Sequence, residues 1–153
     1  MKLELSIEEY LQETKIPLRL STTTTSGWPV VLSLWYLYEE GALYCATSQN
    51  AKVVDYLMNE PRCGFEVAAD RPPYCGVRGR ALAQIEADAG LEILERLLVR
   101  YLGGIENKLA QGLLNRTIPE AAIRLKPQSV YSWNFTDRMA DSLVHQNTKI
   151  CPG

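Results

Sequence analysis

Histidine is almost missing from this chain of 153 residues: His145, in a polar tail, is the only one. A single imidazole cannot build a histidine metal cluster, and the chain fits chemistry that needs neither such a cluster nor a catalytic triad. The four cysteines, Cys45, Cys63, Cys75 and Cys151, form no C-x-x-C pair. That removes both a thioredoxin-like redox motif and a zinc site of the finger type. Neither sign of charge dominates, with 16 Lys and Arg against 18 Asp and Glu, a net charge of −2 and a pI near 5.5. A nucleic-acid surface would need a basic stripe, and none is present. No apolar run approaches the ~20 residues that span a bilayer. The start, Met1-Lys2-Leu3-Glu4-Leu5, lacks the apolar core of a signal peptide, so a cytoplasmic protein is expected. Internal repeats and low-complexity tracts are absent as well.

What is there is an apolar fraction of 46%, enough for one domain that buries roughly two-thirds of its unfolded surface. Residues 1–153 are read as that single domain, with a core over about 14–135 and a polar tail over 136–153. Cys45 and Cys63 fall inside predicted strands and are expected as buried thiols, whereas Cys75 and Cys151 are expected to be accessible.

The densest structural signal runs from Ile16 to Arg80. Ile16 to Thr25 is rich in β-branched residues, and Ser26-Gly27-Trp28-Pro29 supplies a turn. The threonine run Thr22 to Thr25 reads as strand filling. Val30 to Tyr38 is almost wholly apolar, which predicts one central strand covered on both faces. Glu39-Glu40-Gly41 turns the chain into a third strand, Ala42 to Thr47. A helix over Ala51 to Asn59 follows, with Val53, Val54, Leu57 and Met58 on one stripe, Ser48, Gln49 and Asn50 as candidate caps and Pro61 marking its end. Cys63 to Ala69 and Gly76 to Glu86 are two further strands, joined by a turn at Asp70 to Tyr74.

Elsewhere, Ser6-Ile7-Glu8-Glu9 reads as a capping box for a short helix that buries Ile7, Tyr10 and Leu11 and lids one barrel end. Ala89 to Leu102 carries a stripe of Leu91, Leu94, Leu97, Leu98, Tyr101 and Leu102, stopped by Gly103-Gly104. A second helix spans about Ile105 to Asn115. Ile123 to Phe135 is the last strand, interrupted by Pro127, so a sheet edge or a bulge is expected there. Met139 to Leu143 could add one helical turn. Trp28, at a turn tip, is expected to be exposed or to cover a partner, and Trp35 to be buried.

The chemistry is concentrated at Thr47-Ser48-Gln49-Asn50-Ala51-Lys52. A strand end followed by hydroxyls and a helix start offers unpaired backbone N–H groups, the positive end of the helix dipole and the Lys52 ammonium to one anion. The plainer reading is a capped helix with a solvated lysine. Arg78 and Arg80 share one face of their strand with Leu82, Gln84 and Glu86, because side chains alternate. That face either meets solvent or steers an anionic ligand.

The ordered set of parts resembles the flavin-binding split-barrel family related to pyridoxamine 5'-phosphate oxidase. The resemblance rests on Ser26-Gly27-Trp28-Pro29 with its apolar strand, Gly41-Ala42-Leu43-Tyr44 to Thr47, Lys52, Asn59-Glu60-Pro61-Arg62, Pro73-Tyr74 to Ala81, and Val130-Tyr131-Ser132-Trp133-Asn134-Phe135. It implies a mainly β (β+α) fold, a split β-barrel of about six antiparallel strands with flanking helices. It also implies a homodimer with FMN held in grooves between subunits. In that arrangement Val31, Leu32, Ser33 and Leu34 line the isoalloxazine ring, Thr47, Ser48 and Lys52 hold the phosphate, and Trp133 reaches the site from the partner subunit. Trp133 could equally be ordinary core or interface packing.

The strand after Arg124-Leu125-Lys126-Pro127 carries no arginine and histidine pair to grip a substrate phosphate, so vitamin B6 oxidation is not expected. The resemblance therefore implies a small-molecule oxidoreductase of open substrate using FMN, with F420 as the alternative cofactor. A non-catalytic flavin- or haem-binding module and a dimer with an empty groove are the other classes.

Overall fold

The computed structural model describes residues 3–142. Helix α1, Leu5–Glu13, buries Ile7, Tyr10 and Leu11, the i, i+3, i+4 stripe that the sequence predicts. It begins before Ser6, and its cap position is Glu4, whose side chain makes no capping bond, so the capping box does not form.

Strand β1, Leu18–Thr23, alternates strictly, with Leu18, Leu20 and Thr22 buried. It turns at Gly27, whose φ of 88° is one that side-chain-bearing residues avoid. The Thr24 hydroxyl accepts the Trp28 N–H at 3.0 Å, closing the loop. Strand β2, Pro29–Leu34, then pairs back on β1.

The expected single strand Val30 to Tyr38 is two strands. β2 stops at Leu34, Trp35 and Tyr36 cross over, and β3, Leu37–Glu39, starts on the far side of the sheet. With β4, Ala42–Ser48, β5, Arg62–Ala68, β6, Cys75–Glu86, and β7, Glu120–Asn134, the antiparallel sheet has the order β2-β1-β5-β6-β7-β4-β3. β2 is thus an edge, not a centre, and Val31 on it is 66% exposed. Its apolar run has a different cause. Leu32 and Leu34 pack on the barrel core, and Tyr36 is wholly buried where the chain crosses.

That crossing closes the barrel. The three steps from Leu34 to Leu37 span at most about 11 Å, so the two sheet edges must curl to within that distance. The result is a split barrel of seven strands with its core inside, where Leu18, Leu20, Phe65, Val67, Val77, Ile123 and Leu125 meet.

Helix α2, Lys52–Asn59, buries Val53, Val54 and Leu57 in that core, while Met58, expected on the same stripe, is exposed. Helix α3, Gly90–Leu102, packs on β4 and β7 through Ile93, Leu94, Leu97 and Leu98, and helix α4, Lys108–Leu114, leans on α3. Leu91, expected in the buried stripe of α3, is exposed, and Ile93 takes its place. Gly103 ends α3 in the left-handed conformation, as expected. β7 carries an irregularity opposite Arg80 and Ala81, next to Pro127, which is the expected bulge in an interior strand. A 3-10 helix at Asp137–Ser142 stands where a helical turn was expected. Trp28 is exposed, while Trp35 is only half-buried, stacked on Tyr101 with ring centroids 5.0 Å apart.

Cys45 and Cys63 are buried free thiols, and burial pushes Cys63 up to about 12 and Cys45 higher still. Cys75 is buried and disulfide-bonded, not accessible. It is the first residue of β6 and is buried there, where the sequence pattern suggests the end of a turn. Cys151, His145 and most of the polar tail lie outside the described residues.

The end of α1 is held by groups distant in sequence. Its last carbonyls need donors, and the Tyr36 hydroxyl donates to Leu11 O at 2.9 Å and Thr14 O at 3.2 Å. Arg100 of α3 donates to Leu11, Gln12 and Thr14 carbonyls. Tyr36→Phe keeps the ring and removes the donor, so urea unfolding should show a loss of about 1–2 kcal/mol. A smaller loss would mean that water or Arg100 fills the role.

Candidate functional site

The outer face of the barrel collects charge by register. Across β2, β1, β5, β6 and β7, one row reads Ser33, Arg19, Glu66, Arg78, Tyr131, and the next reads Val31, Ser21, Gly64, Arg80, Ser129. Residues two apart on a strand share a face, so both rows point the same way. Gly64, with no side chain between Ser21 and Arg80, leaves a hollow. The groove there has a volume of about 630 Å³ and is lined by Arg19, Ser21, Val31, Glu66, Arg78, Arg80 and Tyr131 among others.

Three guanidinium groups face one carboxylate in this groove. Arg80 Nε donates to Ser129 Oγ at 3.0 Å, and the Arg78 guanidinium lies 5.7 Å from the centre of the Trp133 ring. Both pairings fix the cations in place while leaving further N–H groups for an anion. Trp133, half-buried on β7, closes over Gly76, where any Cβ would come within 2.8 Å of the indole.

A second group stands at the junction of β4 and α2. Ser48 pairs with Glu120 of β7, Gln49 N–H donates to Pro119 O at 2.9 Å, and Ala51 N–H donates to Ser48 O at 2.9 Å. The cap residue of α2 is Ala51, so none of Ser48, Gln49 and Asn50 caps it, because Ser48 Oγ instead accepts the Asn50 N–H at 3.3 Å. No side chain satisfies the first turn of α2, and the helix opens on exposed Lys52. Free N–H groups beside a cation suit an anion.

Of the residues singled out from sequence, the fold brings Val31, Arg78 and Arg80 into one groove, with Ser33 in an adjoining row and Trp133 beside Arg78. Thr47, Ser48 and Lys52 cluster separately and do not line that groove. Leu32 and Leu34 turn inward, leaving only their backbone for a ligand. Arg19, Glu66 and Tyr131 were missed. The alternation of buried Leu18 and Leu20 already put Arg19 on the outer face of β1, but only the strand order shows that this is the face of Arg78 and Arg80.

Among the described residues no group of His, Cys, Asp and Glu is arranged to hold a metal ion. No helix among them is long and apolar enough to cross a membrane.

No protein-family model matches the sequence, and a search of curated proteins returns no match. Solved structures do match. A conserved hypothetical protein from Mycobacterium tuberculosis superposes with a TM-score of 0.73 at 19% identity, over 97% of this chain and 93% of that one. An F420 reductase gives 0.67 at 19% identity, over 80% and 94%. A putative pyridoxamine 5'-phosphate oxidase from Listeria innocua gives 0.61 at 16% identity, over 84% and 93%. At these identities the likeness speaks for the fold, and the chain has the split-barrel fold of the pyridoxamine 5'-phosphate oxidase-like proteins.

Proposed function

We propose that the chain is a cofactor-binding oxidoreductase domain that acts as a homodimer, with FMN as the cofactor and an anionic small molecule as substrate. The observation that carries this reading is the pairing of an arginine-lined groove with an uncapped, lysine-bearing helix start on the same small barrel. Its groove lies within the ~300–1,000 Å³ usual for small-molecule sites.

In this reading the first turn of α2, with Thr47, Ser48 and Lys52, takes the phosphate. Val31, Ser33 and the backbone of Leu32 and Leu34 flank the ring, and Arg78 and Arg80 hold the substrate's anionic group. When bound, the flavin supplies the redox chemistry. The chain's own residues bind, orient and neutralise charge. A second copy is called for because the two groups stand apart on one chain. The exposed Val31 and Tyr131 lining the groove also favour an interface, since apolar side chains gathered on one face usually meet a partner. Trp133 would then border the site from the neighbouring copy.

F420 is the second candidate, favoured by the structural likeness to an F420 reductase. Mass spectrometry of the ligand released from purified protein separates the two. FMN or F420 is the expected result, together with a dimer in sedimentation at micromolar concentration. Release of haem, or a chain that binds neither cofactor and sediments as a monomer, would overturn the proposal.

A further inference from the structure

Away from the arginine groove, a pocket of about 230 Å³ opens between the 3-10 turn Ala87–Ala89, the start of α3, the end of α4 and the first residue of β7. Its walls include Leu91, Leu113, Leu114 and Ile118. Leu91 and Ile118 leave much of their apolar surface in water at its rim.

At its base stands Glu120, whose side chain is 7% exposed. Its Oε1 is buried and accepts no hydrogen bond. Arg116 Nη1 approaches to 3.6 Å, too far for a good hydrogen bond, on a side chain that is itself 50% exposed. Burial holds the Glu120 carboxyl above the usual range, and Arg116 offsets this only in part. Register does not explain the placement, because the strand pairing of Glu120 with Ser48 uses only backbone. A buried carboxylate oxygen without a donor is costly unless something supplies one.

We propose that this pocket is a second binding site, for a small organic ammonium ion with an apolar body of about ring size. Its N–H groups would give Oε1 the missing hydrogen bond, and its body would cover Leu91 and Ile118. Arg116, whose own side chain is half-exposed, would swing outward to uncover Oε1, and the guest's ammonium would replace its charge so that the buried carboxylate is not left unpaired. The volume suits such a guest, because an apolar cavity of ~150 Å³ already holds benzene. This inference does not rest on the flavin reading, and its test needs no cofactor.

Benzylamine is the probe, titrated into the full chain while the methyl resonances of Leu113, Leu114 and Ile118 are followed by NMR. Saturable shifts with a dissociation constant on the order of 1 mM are expected for a guest of this size. Glu120→Gln should weaken benzylamine by about tenfold or more, the loss of one charged hydrogen bond, and leave benzyl alcohol unchanged. Leu113→Phe, which fills the pocket from α4 and keeps the carboxylate, should abolish binding of both, and it decides the matter if Glu120→Gln does not fold. The proposal is overturned if no saturable shift appears, if benzoate binds as well as benzylamine, or if both variants bind like the wild type.

Discussion

Gly90→Ala should lower stability by about 3 kcal/mol, the upper end of what overpacking usually costs, and urea unfolding would read it directly. Gly90 begins α3 where the helix lies against the start of β7. A Cβ built there would stand 2.1 Å from Glu120 O, 2.2 Å from its carbonyl carbon and 2.6 Å from Ala121 N. All three are backbone atoms, so no side chain can swing aside. The opposing gain, alanine's better helix propensity and less flexible unfolded chain, is worth only about 0.5–1 kcal/mol. The clash wins. Gly112, exposed in α4 with nothing within 4 Å of its would-be Cβ, isolates the opposing term: Gly112→Ala should stabilise by about 0.5–1 kcal/mol. Wild-type stability in Gly90→Ala would show that α3 is free to move away from the β7 backbone. Because Glu120 also pairs with Ser48, the same variant should disturb the entry into α2 and, if the first turn of α2 takes the phosphate as proposed, weaken FMN binding with it.

Lys52→Ala tests the cofactor reading at its most exposed point. If the Lys52 ammonium neutralises a phosphate at the uncapped start of α2, FMN affinity should fall by about 1.5–3 kcal/mol, the range for a charged hydrogen bond. That is roughly tenfold to more than a hundredfold. Stability should hardly change, because Lys52 is exposed and such substitutions stay within about 0.5 kcal/mol. Riboflavin, lacking the phosphate, should bind more weakly to the wild type and be indifferent to the substitution. Should Lys52→Ala bind FMN normally while Arg80→Ala does not, the phosphate belongs in the arginine groove and the two anion sites exchange roles.

Local pattern in the sequence determined the elements themselves. β-Branched residues placed β1, alternation set the shared face of Arg78 and Arg80 on β6, the Ile7, Tyr10, Leu11 spacing placed α1, Gly103 ended α3, and Pro127 marked the bulge in β7. These are choices made by residues within a few positions of one another, which is why they are legible without a fold. Tertiary structure decided what depends on distant partners. The run Val30 to Tyr38 had to become two opposite edges because Tyr36 finds its acceptors on α1 and because the sheet closes there. The α2 cap passed to Ala51 because Gln49 is held by Pro119 and Ser48 by β7. Arg19, Arg78 and Arg80 became one groove only when β1, β5 and β6 came side by side, a neighbourhood that no spacing along the chain encodes. Glu120 falls before the expected last strand, Ile123 to Phe135, and only the structure makes it the buried first residue of β7 beside α3 and α4. Periodicity says which way a side chain points, and only packing says what it then faces.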